Sequence, residues 1–104
     1  MQSDLLKALG ITDELMKDNS LSADDVVSRI SERSGISEEE IFGDSRRASV
    51  VYLRQGAYYV FREKFGWGYA EIGSSMGRHH TTIMNGVKRI KKGFNRYNGR
   101  FLIR

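Results

Sequence analysis

The chain has 104 residues, enough for one domain with a modest core, and 39% of them are hydrophobic. It contains no cysteine and no proline, which excludes disulfide scaffolds, thiolate zinc sites and thiol nucleophiles, and leaves no helix broken by proline. The net charge of +4 conceals an uneven layout: residues 1–44 carry 4 basic and 11 acidic side chains (net −7), whereas residues 45–104 carry 13 basic and 2 acidic ones (net +11).

In chain order, residues 4–16 place Leu5, Leu6, Leu9, Leu15 and Met16 at the spacings of a short amphipathic helix, with Gly10 weakening its middle. Asn19-Ser20 reads as a break. Ser22, with Asp25 three residues on, resembles a helix start whose inward face is Val26, Val27 and Ile30, and Gly35 should stop it. Ser37 and Glu40 form a capping-box pattern before Ile41 and Phe42, which predicts one short helical turn ended by Gly43. Residues 44–49 are a basic loop. From about Ser49 to Phe65, the residues Val50, Leu53, Ala57, Tyr58, Phe61 and Phe65 recur at three- and four-residue steps, the pattern of a central core helix whose other faces carry Arg54, Gln55, Arg62 and Lys64.

Gly66-Trp67-Gly68 is a turn, and residues 69–76 form a short helix with Ile72 and Met76 on one side. Gly77-Arg78 turns again. His79 to about Lys92 is a further helix buried through Ile83, Val87 and Ile90. The last stretch, residues 93–104, mixes Phe94, Tyr97 and Phe101 with Arg96, Arg100 and Arg104; its two glycines and two asparagines predict a basic aromatic tail, frayed or loosely packed, rather than a firm helix. No strand, repeat or low-complexity tract emerges. The expected fold class is all-α, a bundle of about six helices.

The chemistry concentrates in residues 71–84. A short helix, a glycine-arginine turn and a helix that opens with His79, His80, Thr81 and Thr82 make a helix-turn-helix pattern. A helix N-terminus rich in Arg, His and Thr is suited to reach base edges and phosphates together, and the basic half of the chain favours an anionic partner. Solvated surface charge and simple helix capping are the plainer explanations of these residues. The adjacent histidines do not suggest a metal, because neighbouring helical positions point about 100° apart and no other histidine or cysteine is available. Tyr58, Tyr59, Phe61 and Trp67 have the side chains to stack on unpaired bases, but their helical spacing fits core packing better. Gly66-x-Gly68 is too short for a nucleotide-binding loop. Glu63 and Glu71 are too few and too isolated for an acid/base pair, and no serine is marked with a base, so an enzyme is not expected.

Three stretches carry a resemblance to a family. They are Ser45-Arg46-Arg47-Ala48-Ser49-Val50-Val51-Tyr52-Leu53-Arg54-Gln55, Tyr69-Ala70-Glu71-Ile72-Gly73, and Gly77-Arg78-His79-His80-Thr81-Thr82-Ile83-Met84. Together they resemble the C-terminal DNA-binding domain of DnaA, the bacterial chromosomal replication initiator, over residues 24–92. In that family the recognition helix enters the major groove and an arginine of the basic loop enters the adjacent minor groove. The resemblance therefore implies Arg78, His80, Thr81 and Thr82 at the major groove and Arg46 at the minor groove; Arg47, in the same loop before a helix N-terminus, is expected to meet phosphate or a narrow minor groove, and the His79 imidazole can donate to a purine acceptor or to phosphate. It implies phosphate contacts from Arg54, Gln55 and the helix start near Ala70, with Lys88 and Arg89 reaching the backbone further along. Where the family usually has Gly-Gly-Arg-Asp-His, this chain has Met76-Gly77-Arg78-His79-His80, so His79 stands where an aspartate reads bases. The sequence holds no Gly-x-x-x-x-Gly-Lys-Ser/Thr loop, so the ATPase part of the initiator is expected to be missing from a stand-alone DNA-binding protein.

The expected organisation is an N-terminal helical extension (1–22), the helix-turn-helix domain (23–92) and the tail (93–104). The expected function is sequence-preferring binding of double-stranded DNA in replication-initiation control or transcriptional regulation, without metal or cofactor. The alternative is an adaptor that binds a protein partner through acidic residues 1–34, using Leu5, Leu9 and Asp24-Asp25, although an intramolecular role for the first helix is the favoured reading. With no apolar run near the ~20 residues of a membrane span and no signal-peptide start, a cytoplasmic, nucleoid-associated protein without membrane contact is expected.

Overall fold

A computed structural model describes residues 2–97 as six α-helices and one 3-10 turn, with no strand among them. The helices are α1 (Gln2–Lys17), α2 (Val26–Ser34), α3 (Glu38–Phe42), α4 (Ala48–Glu63), α5 (Tyr69–Met76) and α6 (His80–Arg96). The expected all-α class holds. The part of the tail from Asn98 onward, with Arg100, Phe101 and Arg104, lies outside the described residues.

α4 is the central element and packs against all five other helices. Its Leu53, Ala57, Tyr58, Val60 and Phe61 are buried together with Ile11 and Leu15 of α1, Val26, Val27 and Ile30 of α2, Ile41 of α3, Ile72 and Met76 of α5, and Ile83 and Val87 of α6. Side chains of this kind, fully removed from water, contribute roughly 1.5–3 kcal/mol each. Burial on several sides of α4 is why its sequence is apolar over more than one face. Phe61 stacks on Trp67 (4.5 Å between ring centroids), which ties the turn after α4 back to the core.

Local chemistry sets the helix ends. The Ser37 hydroxyl accepts from the Glu40 amide at 3.2 Å, as its capping pattern predicts, and α3 stops at Gly43. Ile41 is buried, but Phe42 is 42% exposed, so only one of the two apolar residues of that turn enters the core. The expected start at Ser22 takes a different form. Its hydroxyl donates to the Asp25 carboxylate at 2.9 Å, and a 3-10 turn (Ala23–Asp25) precedes α2. Asp18 accepts from the Ser20 hydroxyl and amide and pairs with Arg29 at 2.6 Å; the Ser20 hydrogen bonds, more than the arginine, hold its carboxyl below the usual range.

At the N-terminal end, α1 is built into the core: Ala8, Leu9, Ile11 and Leu15 are buried, and the backbone runs helical through Gly10. The reason is tertiary, since α1 lies along α4 and also touches α6 and α2. At the other end, α6 runs past Lys92 to Arg96. Gly93 does not break it. A Cβ there would sit 3.1 Å from both methyl carbons of Leu9, so the small residue lets α1 and α6 approach. Leu9, Ile90 and Phe94 form a second buried cluster flanked by Leu5, Leu6, Tyr59 and Tyr97. Packing of this cluster overrides the poor helix propensity of Gly93 and Asn95.

Candidate nucleic-acid interface

α5 and α6 form the helix-turn-helix. α5 starts with the Gly68 amide donating to the Glu71 carboxylate at 3.3 Å and ends at Gly77, whose φ of +69° is a left-handed conformation that other residues rarely adopt. The Arg78 amide then donates to Gly73 O at 2.9 Å. The turn passes so close to α5 that a Cβ on Gly73 would lie 2.4 Å from the backbone oxygen of Arg78. Backbone cannot yield as a flexible side chain does. Gly73→Ala is therefore expected to destabilise the protein by about 1–3 kcal/mol, read as a lower midpoint in urea. An unchanged midpoint would show that the helices can separate at the turn.

α6 divides into two faces. Ile83, Val87 and Ile90 are fully buried, whereas His80, Thr81, Thr82, Asn85, Lys88, Arg89 and Lys92 are exposed. Thr81, Asn85, Lys88 and Lys92 follow at steps of four, three and four, so they form one stripe along the helix. Asn85, Lys88, Arg89 and Lys92 line a shallow depression of about 260 Å3. Lys88, Arg89 and Lys92 form no ion pair among the described residues, whereas Lys91, turned the other way, pairs with Glu63 at 3.3 Å. Asn85 and Lys92 are absent from the sequence-based set. The signal for both was the helical stripe that continues from Thr81 through Lys88.

His79 is the N-cap of α6, and its Nδ1 accepts from the Thr81 amide at 3.1 Å. Its ring lies 4.3 Å from that of His80, tilted by 32°. An imidazole nitrogen here does the work more often done by a serine or aspartate oxygen. Among the described residues, no group of three His, Asp or Glu side chains is placed to hold a metal.

The basic loop is fastened rather than free. Arg54, expected on an outer face of α4 as a phosphate ligand, is only 7% exposed. Its guanidinium donates to three backbone carbonyls: Ile41 O (2.7 Å), Ser45 O (3.1 Å) and Glu40 O (3.3 Å). Burial first, then the neighbouring Arg78 charge, lowers its pKa, yet a guanidinium stays charged at any ordinary pH. Arg78, expected at the major groove, also turns back: it donates to Gly43 O and pairs with Asp44 at 3.2 Å. Burial pushes the nearby Tyr58 hydroxyl to higher pKa, against the opposing pull of the Arg78 charge. Two arginines thus grip residues 40–45 from both sides. The loop that carries Arg46 is thereby held beside the turn that starts α6.

Arg46 itself is exposed and has no protein partner among the described residues; Arg47 is exposed and bonded to Glu40. Gln55 is half-buried at the crossing of α4 and α6, with its Cγ 3.0 Å from where a Gly86 Cβ would lie, and its Oε1 is buried without a hydrogen-bond partner among the described residues. Ala70 is exposed in the first turn of α5. Of the twelve sequence-based site residues, the structure gathers His79, His80, Thr81, Thr82, Lys88 and Arg89 on α6 and leaves Arg46, Arg47 and Ala70 exposed. It turns Arg54 and Arg78 inward and leaves Gln55 between the two.

A short α5, a left-handed glycine turn and an amphipathic α6 with a polar leading end define a helix-turn-helix protein. The family described as "Bacterial dnaA protein helix-turn-helix" matches residues 23–90, and the chain belongs to that family. Among its relatives, the chromosomal replication initiator protein DnaA of Herpetosiphon aurantiacus is 38% identical over 71 residues, 67% of this chain and 15% of that protein. That of Thermomicrobium roseum is 40% identical over 58 residues, 55% of this chain and 12% of the relative. That of Lachnoclostridium phytofermentans is 30% identical over 91 residues, 85% and 20%. The chain thus spans a fifth or less of the length of these relatives. No solved structure gives a significant match. Among the described residues no helix is long and apolar enough to cross a membrane.

Proposed function

We propose that this chain is a sequence-preferring double-stranded DNA-binding protein of replication-initiation control. α6 enters the major groove with His79, His80, Thr81 and Thr82 leading, and the loop lays Arg46 in the adjacent minor groove. The observation that carries the proposal is the two-faced α6: one face buried through Ile83, Val87 and Ile90, the other an exposed polar end that runs into Lys88, Arg89 and Lys92, which have no ion pair among the described residues. A helix held this rigidly presents its N-terminal side chains to base edges while its later cations meet phosphate. Kinship with proteins named chromosomal replication initiators supports replication over transcription as the setting.

Asn85 joins Lys88, Arg89 and Lys92 along the backbone, Arg47 meets phosphate beside Arg46, and the exposed start of α5 at Ala70 offers backbone N–H groups to another. Gln55, at the α4–α6 crossing, is assigned a phosphate contact through its amide nitrogen. Arg54 and Arg78 act as positioning residues for the loop and turn. The role is binding rather than catalysis, in the cytoplasm at the nucleoid.

The adaptor reading through residues 1–34 loses its apolar anchors, because Leu9 is buried and Leu5 packs against it. Its exposed acidic residues Glu14, Asp24, Asp25 and Glu32 remain.

The test is duplex titration at several salt concentrations. Lys88→Ala is expected to weaken preferred and random duplexes alike and to flatten the slope of log affinity against log salt by about 0.9. No binding by the parent chain, or a slope indifferent to Lys88, Arg89 and Arg46 together, would overturn the proposal.

A further inference from the structure

The cap of α6 fixes which hydrogen-bonding character His79 shows to the outside. A neutral imidazole has one nitrogen that accepts and one that donates, and an imidazolium has only donors. Nδ1 of His79 accepts from the Thr81 amide at 3.1 Å, so the hydrogen of the ring sits on Nε2. The ring is exposed, it is steadied by His80 at 4.3 Å, and it stands at the leading end of the helix. Outward, it therefore offers a donor and no acceptor.

Resting on the DNA-binding reading, we propose that His79 is a specificity-determining residue that selects a base presenting an acceptor in the major groove, and selects against cytosine. Guanine shows N7 and O6 there, adenine N7 and thymine O4; cytosine shows only its amino donor. Facing cytosine, the Nε2–H would meet another donor and both would lose their partner. The ring escapes this only by moving its hydrogen to Nδ1, which breaks the cap. Specificity and helix capping are thus coupled through one tautomer: the backbone bond at one edge of the ring dictates the base at the other.

The coupling separates from mere capping by substitution. Aspartate is a good N-cap and an acceptor only; serine caps as well but is too short to reach the base. The experiment selects bound duplexes from a random pool with the parent chain, His79→Asp and His79→Ser, at one stated salt concentration, with thermal unfolding of each protein alongside. The parent is expected to deplete cytosine about tenfold at one position of its motif. His79→Asp is expected to enrich cytosine at that same position, His79→Ser to show no preference there, and both to keep the remaining positions. Cytosine enrichment by the parent, or an identical motif from all three proteins, overturns the proposal while leaving DNA binding intact. Should His79→Asp unfold, the loss of preference in His79→Ser decides. No enriched motif from the parent sinks sequence-preferring binding itself, and this proposal with it.

Discussion

Thr81→Ala and His80→Ala are each expected to cost about 1–3 kcal/mol of binding on the preferred duplex and little on random duplex. Both side chains are exposed in the first turn of α6, ahead of the first buried residue, Ile83. Neither supports the core, so the loss should not come from unfolding. Neither substitution removes a lysine or an arginine, so the salt dependence should stay close to that of the parent. Titration of preferred and random duplexes at two salt concentrations separates these effects. Equal losses on the two duplexes would mean that the leading end of α6 touches backbone and not base edges.

The second large effect is expected at Arg54, and on stability. Arg54→Ala removes the donors of three backbone carbonyls, Ile41 O, Ser45 O and Glu40 O. The acceptor at Ile41 is buried and regains no partner unless water enters. A cost of about 2–4 kcal/mol follows, a fall in melting temperature on the order of 10–20 °C for a domain of this size. Arg54→Lys should recover little, because one ammonium cannot reproduce the fork that spans three carbonyls. The affinity of the folded fraction should drop through a loosened loop at Arg46, while the salt slope stays within a few tenths of the parent value. A stable Arg54→Ala protein whose slope falls by about 0.9 would instead identify Arg54 as a phosphate ligand.

The difference between those two roles marks where sequence reading reached its limit. The apolar periodicity of α4 and α6 was plain, because Leu53, Ala57, Tyr58 and Phe61, and likewise Ile83, Val87 and Ile90, repeat with the helical period and are buried as that period demands. Caps and stops were equally local: Ser37 before α3, Gly35 after α2, Gly77 in the turn. What depends on a distant partner was not legible. Arg54 falls among apolar neighbours on a helix, and nothing in its own segment shows that residues 13 and 14 positions earlier offer it carbonyls. Arg78 meets Asp44, 34 positions away. Gly93 reads as a break until Leu9 is seen against it.

At the site, the polar leading end of α6 was legible, and the division of labour within it was not. In the sequence, Arg78 and His79 stand side by side in one polar cluster. The structure gives them different surroundings: Arg78 bonds back to Gly43 and Asp44, and His79 caps the helix with Nδ1 while its ring stays exposed. The position at which the family usually has the first glycine of its turn is Met76, 3% exposed in the core. Gly77 alone supplies the left-handed residue, with φ +69°, so the missing glycine leaves the turn intact. Asn85 escaped notice because a lone polar residue in mid-helix has no motif around it. It gains meaning from the exposed stripe it shares with Thr81 and Lys88.

Chemical-shift mapping of the backbone amides during titration with a duplex tests the central placement most directly. Shifts concentrated at Arg46, Ala70, residues 79–82, Asn85, Lys88 and Arg89 are expected, with Asp24 and Asp25 on the acidic side unmoved. Shifts confined to α1 and the acidic residues 24–25, with the first turn of α6 silent, would contradict it.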